Sequence, residues 1–200
     1  MVILLATHNK NKITEIKKAL ENTGHDILTL NDITEMPEVI EDGETLEDNS
    51  LKKAKEIFEY SGITTMADDT GLEVEILDGE PGVYSARWAG ENSTYEENNR
   101  KMLKRLEGVP FEKRKAVFRC VITLYGNNIH EVSVGELRGR ITNEPKGEKG
   151  FGYDPIFVPE GFDRTLAEMP LKSKDLISHR GKAVKRMTGI ISNMNNLDHK

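Results

Sequence analysis

Met66-Ala-Asp-Asp-Thr-Gly-Leu-Glu-Val-Glu75 sets two adjacent carboxylates between two apolar runs. Ile63, Met66 and Ala67 read as a short buried strand that stops on two adjacent carboxylates, Asp68 and Asp69. Thr70-Gly71 then read as a turn, and Leu72, Val74 and Ile76 alternate with Glu73 and Glu75 as a second strand. Carboxylates at a strand end lie where open α/β sheets bind ligands. Their hard oxygens suit Mg²⁺, which is usually held by one or two carboxylates plus substrate phosphates. Asp-Asp-Thr-Gly is also the composition of an ordinary turn, so the weight shifts to the rest of the chain.

Working outward, residues 2–6 form an apolar strand, and Thr7-His-Asn-Lys-Asn-Lys12 leads into a helix with Ile13, Ile16, Ala19 and Leu20 on its buried face. Ile27, Leu28 and Leu30 give a second strand. A strand-helix-strand start points to an α/β protein. An acidic, irregular segment at 31–48 precedes a helix over about 45–61 that stops at Gly62. Ser93 or Thr94 caps a further helix with Glu96 or Glu97 in its first turn. Lys115–Tyr125 and Ile129–Arg140 read as a hairpin around Gly126-Asn-Asn. Residues 142–155 read as a Gly-rich loop, Ile156-Phe-Val as a short strand, and about 178–195 as the last helix, with Ala183, Met187, Ile190 and Ile191 as its stripe. With no repeat, linker or low-complexity segment, residues 1–200 read as a single domain.

Composition bounds the function. Of 200 residues, 36% are hydrophobic and 31% charged, as in a soluble globular protein. The single cysteine, Cys120, excludes an intrachain disulfide and reads as a small core residue, in keeping with a reducing cytoplasm. The start lacks a basic leader, and no apolar run is of membrane-spanning length, so no membrane association is expected. A net charge of −6 argues against bulk nucleic-acid binding. Residues 1–100 carry 9 Lys and Arg against 22 Asp and Glu, a net −13, whereas residues 101–200 carry 19 against 12, a net +7. An acidic and a basic surface could hold a metal and phosphates respectively.

Four polar constellations carry chemistry. Thr7 to Lys12 joins a strand to a helix N-terminus, where free N–H groups attract phosphate, although the P-loop pattern is absent. Glu41, Asp42, Glu44, Glu47 and Asp48 precede Lys52 and Lys53, and one carboxylate there could ligate metal if the loop folds against Asp69. Gly147-Glu-Lys-Gly-Phe-Gly-Tyr-Asp-Pro155 allows close backbone approach to a ligand, with Phe151 or Tyr153 to stack on a base and Asp154 to accept a hydrogen bond. Lys174, His179 and Arg180 near the start of the last helix stand at the end where cations are disfavoured, which suggests an anionic ligand.

Six segments in order resemble the inosine/xanthosine triphosphate pyrophosphatase family: Ala6–Lys12, Glu44–Ala54, Ala67–Val74, Gly79–Arg87, Gly150–Phe157 and Ile177–Ala183. The resemblance implies hydrolysis of nucleoside triphosphates carrying hypoxanthine or xanthine to the monophosphate and pyrophosphate. It implies an elongated mixed sheet flanked by helices, with two lobes around a nucleotide cleft, Mg²⁺ dependence and a homodimer. It places Thr7, His8, Asn9, Lys10, Asn11 and Lys12 at the triphosphate and makes Asp69 general base and metal ligand. Glu41 is the second metal ligand, with Glu38 or Glu44 in competition, and Lys53 a substrate ligand, with Lys52 in competition. Thr70 supplies a hydroxyl. Phe151, Gly152, Tyr153 and Asp154 hold base and sugar, and Lys174, His179 and Arg180 complete the site. Selectivity would come from a donor, Arg180 or a backbone N–H, facing the purine 6-oxo group. A pyrophosphatase for modified pyrimidine nucleotides and a non-catalytic nucleotide sensor are the competing readings.

Overall fold

The computed structural model describes every residue except Asn22, Thr34 and residues 198–200, and of Asp175 and residues 195–197 the backbone only. The described residues form seven strands and five α-helices: β1 (Val2–Leu5), α1 (Lys10–Leu20), β2 (Asp26–Thr29), α2 (Leu46–Ser61), β3 (Thr65–Val74), β4 (Pro81–Gly82), α3 (Tyr95–Arg105), β5 (Lys115–Gly126), β6 (Ile129–Ile141), β7 (Phe157–Pro159), α4 (Leu171–Ile177) and α5 (His179–Leu197). The sheet runs β2-β1-β3-β5-β6-β7, with β4 on β3. It is mixed: β1 is parallel to β2 and β3, while β3–β4 and β6–β7 are antiparallel. This is the α/β class that the strand-helix-strand start announces. No described helix is long and apolar enough to cross a membrane.

The chain gathers into two compact units, Met1–Asp69 with Cys120–Gly135 and His179–Lys200, and Thr70–Arg119 with Glu136–Ser178. In the first unit the sheet is covered on both faces. Ile3, Leu5, Met66, Cys120, Ile122 and Leu124 meet Ile16 and Leu20 of α1 and Ala183, Val184, Met187 and Ile191 of α5. Leu4, Ala6 and Ala67 meet Ala54 and Ile57 of α2. Strand side chains alternate between faces, so Val-Ile-Leu-Leu without polar interruption is what a doubly covered strand requires. The second unit has its own core, including Leu72, Met102, Leu106, Phe118, Tyr153 and Phe157.

Helix ends follow their local chemistry. Thr94 caps α3 in a reciprocal box with Glu97. Gly62 ends α2 at φ 68°, its N–H bonded to Phe58 O at 2.8 Å. The β5–β6 connection is the Asn127-Asn128 hairpin, Asn128 taking the left-handed conformation that Asn tolerates.

Two expectations are corrected, and one helix is added. Thr70-Gly71 are not a turn: β3 runs unbroken from Thr65 to Val74, so Asp68 and Asp69 lie mid-strand. Asp and Gly favour turns only where nothing outbids their local hydrogen bonds, and here the sheet ladder and cationic partners for Asp68 do so. Ile76 leaves the alternation, falls in a 3-10 turn and is exposed. The last helix is preceded by a separate one: Pro170 opens α4, and extended Ser178 (ψ 146°) divides it from α5. Seven largely polar residues give too little apolar periodicity to announce α4.

Gly135 sets how α5 packs on β6. A Cβ there would fall far inside contact distance of His179 O and Ala183 N, both backbone atoms that cannot rotate away. Gly135→Ala is expected to destabilise the protein by about 1–3 kcal/mol, the usual range for overpacking, read as a lower urea midpoint with an unchanged m-value.

Candidate active site

Because successive strand residues face opposite ways, Asp68 and Asp69 have different neighbours. Asp68 shares the face of Met66, against α1 and α5. Lys12 Nζ of α1 lies 2.9 Å from Asp68 Oδ2, and Arg180 Nε of α5 lies 3.5 Å from it. Arg180 Nη1 also donates to Glu15 Oε2 of α1. Burial alone would raise the Asp68 carboxyl, but Lys12 and Arg180 outweigh it and hold the group well below the usual carboxylate range. Burial alone would lower the Lys12 ammonium, and Asp68 turns the net shift upward.

Asp69 shares the face of Ala67, against α2. Asn49 Nδ2 donates to Asp69 Oδ2 at 3.1 Å, while Gly43 N–H donates to Asn49 Oδ1 at 2.8 Å. Asn49 therefore ties the acidic loop to the strand carboxylate. One helical turn later, Lys53 Nζ donates to Glu41 Oε1. The Asp69 carboxyl is raised, chiefly by burial; Lys53 opposes the rise and Glu41 adds to it. Two adjacent aspartates thus acquire opposite proton affinities, Asp68 as a buried counter-ion and Asp69 as a carboxylate ready to take a proton.

The structure distinguishes among the residues weighed in the acidic loop. Glu41 pairs with the nearly buried Lys53, and its charge is felt at Asp69, whereas Glu38 and Glu44 are exposed. Lys52 turns outward to Asp42 at 2.6 Å. Among the described residues no three His, Cys, Asp or Glu side chains gather into a closed metal cage. Glu41 and Asp69 are instead an open pair of hard donors, one of them buried beside like charge. That set fits a hard divalent cation completed by water and phosphate oxygens.

The α1 N-terminus differs from expectation. Asn9 caps it, its Oδ1 accepting from Asn11 N–H at 3.0 Å and Lys12 N–H at 3.3 Å, and Thr7 Oγ1 accepts from Asn9 N–H at 3.2 Å. Those donors are taken because Asn is itself a strong N-cap. His8, Lys10 and Asn11 are exposed. Thr70 is half-buried on β3, and His179 is buried at the start of α5.

In the second unit a separate cluster forms around Asp154. Its Oδ2 accepts from Phe151 N–H at 2.9 Å and from Lys174 Nζ of α4 at 2.6 Å. Gly150, at φ 79°, must lack a Cβ because Asp154 Oδ2 occupies that space. The Phe151 ring is half-buried, 6.1 Å from the Tyr95 ring and 4.9 Å from Lys174 Nζ. Tyr153 is corrected as a stacking ring: it lies in the core, and its hydroxyl donates to Ser85 O at 3.0 Å. Of the two aromatics, Phe151 retains exposed surface. The trio of cations expected at the start of one helix is likewise corrected, since Lys174 belongs to α4 and pairs with Asp154, while Arg180 pairs with Glu15 and Asp68.

The Ham1 family model matches residues 3–190. The chain belongs to the Ham1 family. It is 48% identical to the dITP/XTP pyrophosphatase of Geobacter sulfurreducens over 91% of this chain and 92% of that one. It is 45% identical to that of Thermoanaerobacter pseudethanolicus over 96% of each. Among solved structures, a HAM1 protein from Coxiella burnetii superposes with a TM-score of 0.90 at 35% identity, covering 96% of this chain and 99% of that one. The Staphylococcus aureus Ham1 protein superposes at 0.89 and 35%, covering 97% and 100%.

Sequence reasoning missed Asn49, Glu15 and the counter-ion role of Asp68. A signal for Asn49 exists: Leu46, Asn49, Ser50, Lys53, Ala54 and Ile57 are the buried residues of α2, and polar members of a buried stripe need a partner. Glu15 and Asp68 offered none, because their partner lies 165 residues away in the first case and 112 in the second.

The two aspartates are expected to respond oppositely to neutralisation. Asp68 is depressed, so it stabilises the fold above its unfolded pKa and loses that contribution as pH falls toward its folded value. Asp69 is raised, so its charged form opposes folding at neutral pH. Asp68→Asn should cost about 3–5 kcal/mol at pH 7 by leaving Lys12 without its carboxylate and Arg180 with Glu15 alone, while Asp69→Asn should leave stability equal or higher. Chemical denaturation of both variants at neutral pH checks this.

Proposed function

We propose that this chain hydrolyses inosine and xanthosine triphosphates and their deoxy forms to the monophosphate and pyrophosphate, cleansing the nucleotide pool. The carrying observation is the buried Asp69, raised in proton affinity beside Glu41 and Lys53. The names of the Geobacter and Thermoanaerobacter relatives support the substrate class.

Asp69 orients a water for attack at the α-phosphorus and takes its proton as the new P–O bond forms; the bridging bond breaks and pyrophosphate leaves. Its raised pKa brings it closer to neutrality than an ordinary aspartate, which makes it the better base. Asn49 fixes the carboxylate by holding Oδ2. Lys53 and Lys12 stabilise charge on the leaving phosphates. Glu41 and Asp69 would hold Mg²⁺, which when bound neutralises phosphate charge and lowers the pKa of a bound water. Thr7, Asn9, Lys10 and Thr70 complete the phosphate contacts. Phe151 stacks on the base, and Asp154 with Lys174 holds the loop that carries it. Arg180 works through Asp68, its Nε and Nη1 turned to two carboxylates, and of the two candidate donors to the 6-oxo group, Arg180 and a backbone N–H, we assign that role to the backbone N–H. Adenine presents an amino group there, and two facing donors cost about 1–3 kcal/mol, or roughly tenfold to a hundredfold in rate. The working form is a homodimer in the cytoplasm.

Pyrophosphate release with Mg²⁺ across inosine, xanthosine, guanosine and adenosine triphosphates tests the reading. The first two should be preferred, and Asp69→Asn should lower their turnover by about 10²–10⁴-fold. In the metal-free protein the Asp69 carboxyl should titrate above the ordinary aspartate range, followed by carboxyl NMR, and Lys53→Ala should move it further upward by removing the charge that opposes protonation. Equal rates on all four nucleotides would remove base selectivity from the reading. Binding without pyrophosphate release would replace the enzyme with a sensor.

A further inference from the structure

The loop Gly150–Asp154 makes local hydrogen bonds through Asp154, yet its central peptide is held from outside. Gly152 stands at φ 64°, in the left-handed region that glycine enters without steric cost. Asn99 Nδ2 of α3 donates to Gly152 O at 3.1 Å. Tyr95, one turn earlier on the same face of α3, packs its ring against Phe151. Two residues at helical spacing thus address two successive residues of the loop.

The neighbouring asparagine shows what a purely structural amide does here. Asn98 uses both ends: Oδ1 accepts from Ala89 N–H at 2.8 Å and from Ser93 Oγ at 3.2 Å, and Nδ2 donates to Ala86 O at 3.0 Å. Asn99 is 7% exposed, but its Oδ1 meets no donor among the described residues. A buried acceptor left unmatched is destabilising, and an apolar residue of similar volume would avoid it. What the amide contributes is its grip on Gly152.

In a trans peptide the carbonyl and the following N–H point in opposite directions. Holding Gly152 O toward α3 therefore turns Tyr153 N–H away from α3, and that N–H has no acceptor among the described residues. Resting on the function proposed above, we propose that Asn99 is a positioning residue for base selection: by gripping Gly152 O it presents the Tyr153 N–H, a donor, to the 6-oxo group of the substrate purine. Without the grip the peptide is free to rotate about Gly152 and present the carbonyl, an acceptor suited to a 6-amino purine.

The test is the ratio of kcat/KM for inosine triphosphate to that for adenosine triphosphate, measured across pH in the wild type, Asn99→Asp and Asn99→Ser, with Tm recorded for each. Asp69 serves both substrates, so the wild-type ratio should be flat with pH. In Asn99→Asp the ionised carboxylate repels Gly152 O, and the ratio should fall about tenfold or more at about pH 8. Protonation lets the carboxyl donate to Gly152 O, so the ratio should recover as pH falls. Asn99→Ser is too short to reach the carbonyl, and its ratio should stay low throughout; it decides the matter if the aspartate variant does not fold. Loss of activity on both substrates in equal proportion, or a wild-type ratio in a folded variant at about pH 8, overturns the proposal while leaving the proposed function intact. A wild type that does not favour inosine triphosphate overturns the functional reading and, with it, the role of Asn99.

Discussion

Two adjacent residues of a β-strand cannot face the same way, and the first unit is arranged around that constraint. β3 carries Asp68 and Asp69 in its interior, where neither carboxylate is tolerable without compensation. On one face, α1 and α5 supply Lys12 and Arg180, and Asp68 becomes a fixed anion. On the other, α2 supplies a neutral amide and one lysine that is shared with Glu41, and Asp69 remains under-compensated. A single strand thereby sets two carboxylates side by side with their proton affinities driven apart, Asp68 lowered and Asp69 raised. Such separation is how one fold assigns different roles to like groups.

The helices are placed to serve those faces. Val184, Met187 and Ile191 bury α5 against the sheet and, with Gly135 admitting its backbone, bring Arg180 to Asp68. Leu46, Ala54 and Ile57 bury α2 on the opposite face and carry Asn49 and Lys53 in the same stripe. Apolar burial provides the free energy, and the polar residues in the stripes are positioned by it. The second unit repeats the logic on a smaller scale. Asp154 binds the start of its own loop and the ammonium of α4, while Tyr153, committed to the core, holds the loop's far side through Ser85 O.

Some of this was legible in the sequence because its signals are local. The unbroken apolar run of β1, the capping pair Thr94 and Glu97, the stop at Gly62 and the Asn127-Asn128 hairpin each depend on neighbours within a few residues. Other features were misread for the same reason. Asp-Asp-Thr-Gly looks like a turn when only its own residues are consulted; it is a strand because Lys12 and Arg180 neutralise Asp68 from two distant helices. The capping of α1 by Asn9 was passed over because its place between a strand and a helix was read only as an anion cradle. Tyr153 and Phe151 looked interchangeable, and only burial separates them.

By itself the sequence determined the α/β class, most of the elements, and the motifs that mark a Ham1 protein, because periodicity, caps and turns are written over short spans. Only the packing of the folded chain makes Asp68 the counter-ion of Lys12 and Arg180 and raises the proton affinity of Asp69, turns Lys53 rather than Lys52 inward, and holds Asn49 and Asn99 to particular partners. Those outcomes depend on which helix face meets which sheet face. That pairing is set by packing between residues far apart in the chain, and proton affinity follows from burial and from the charges that packing brings near.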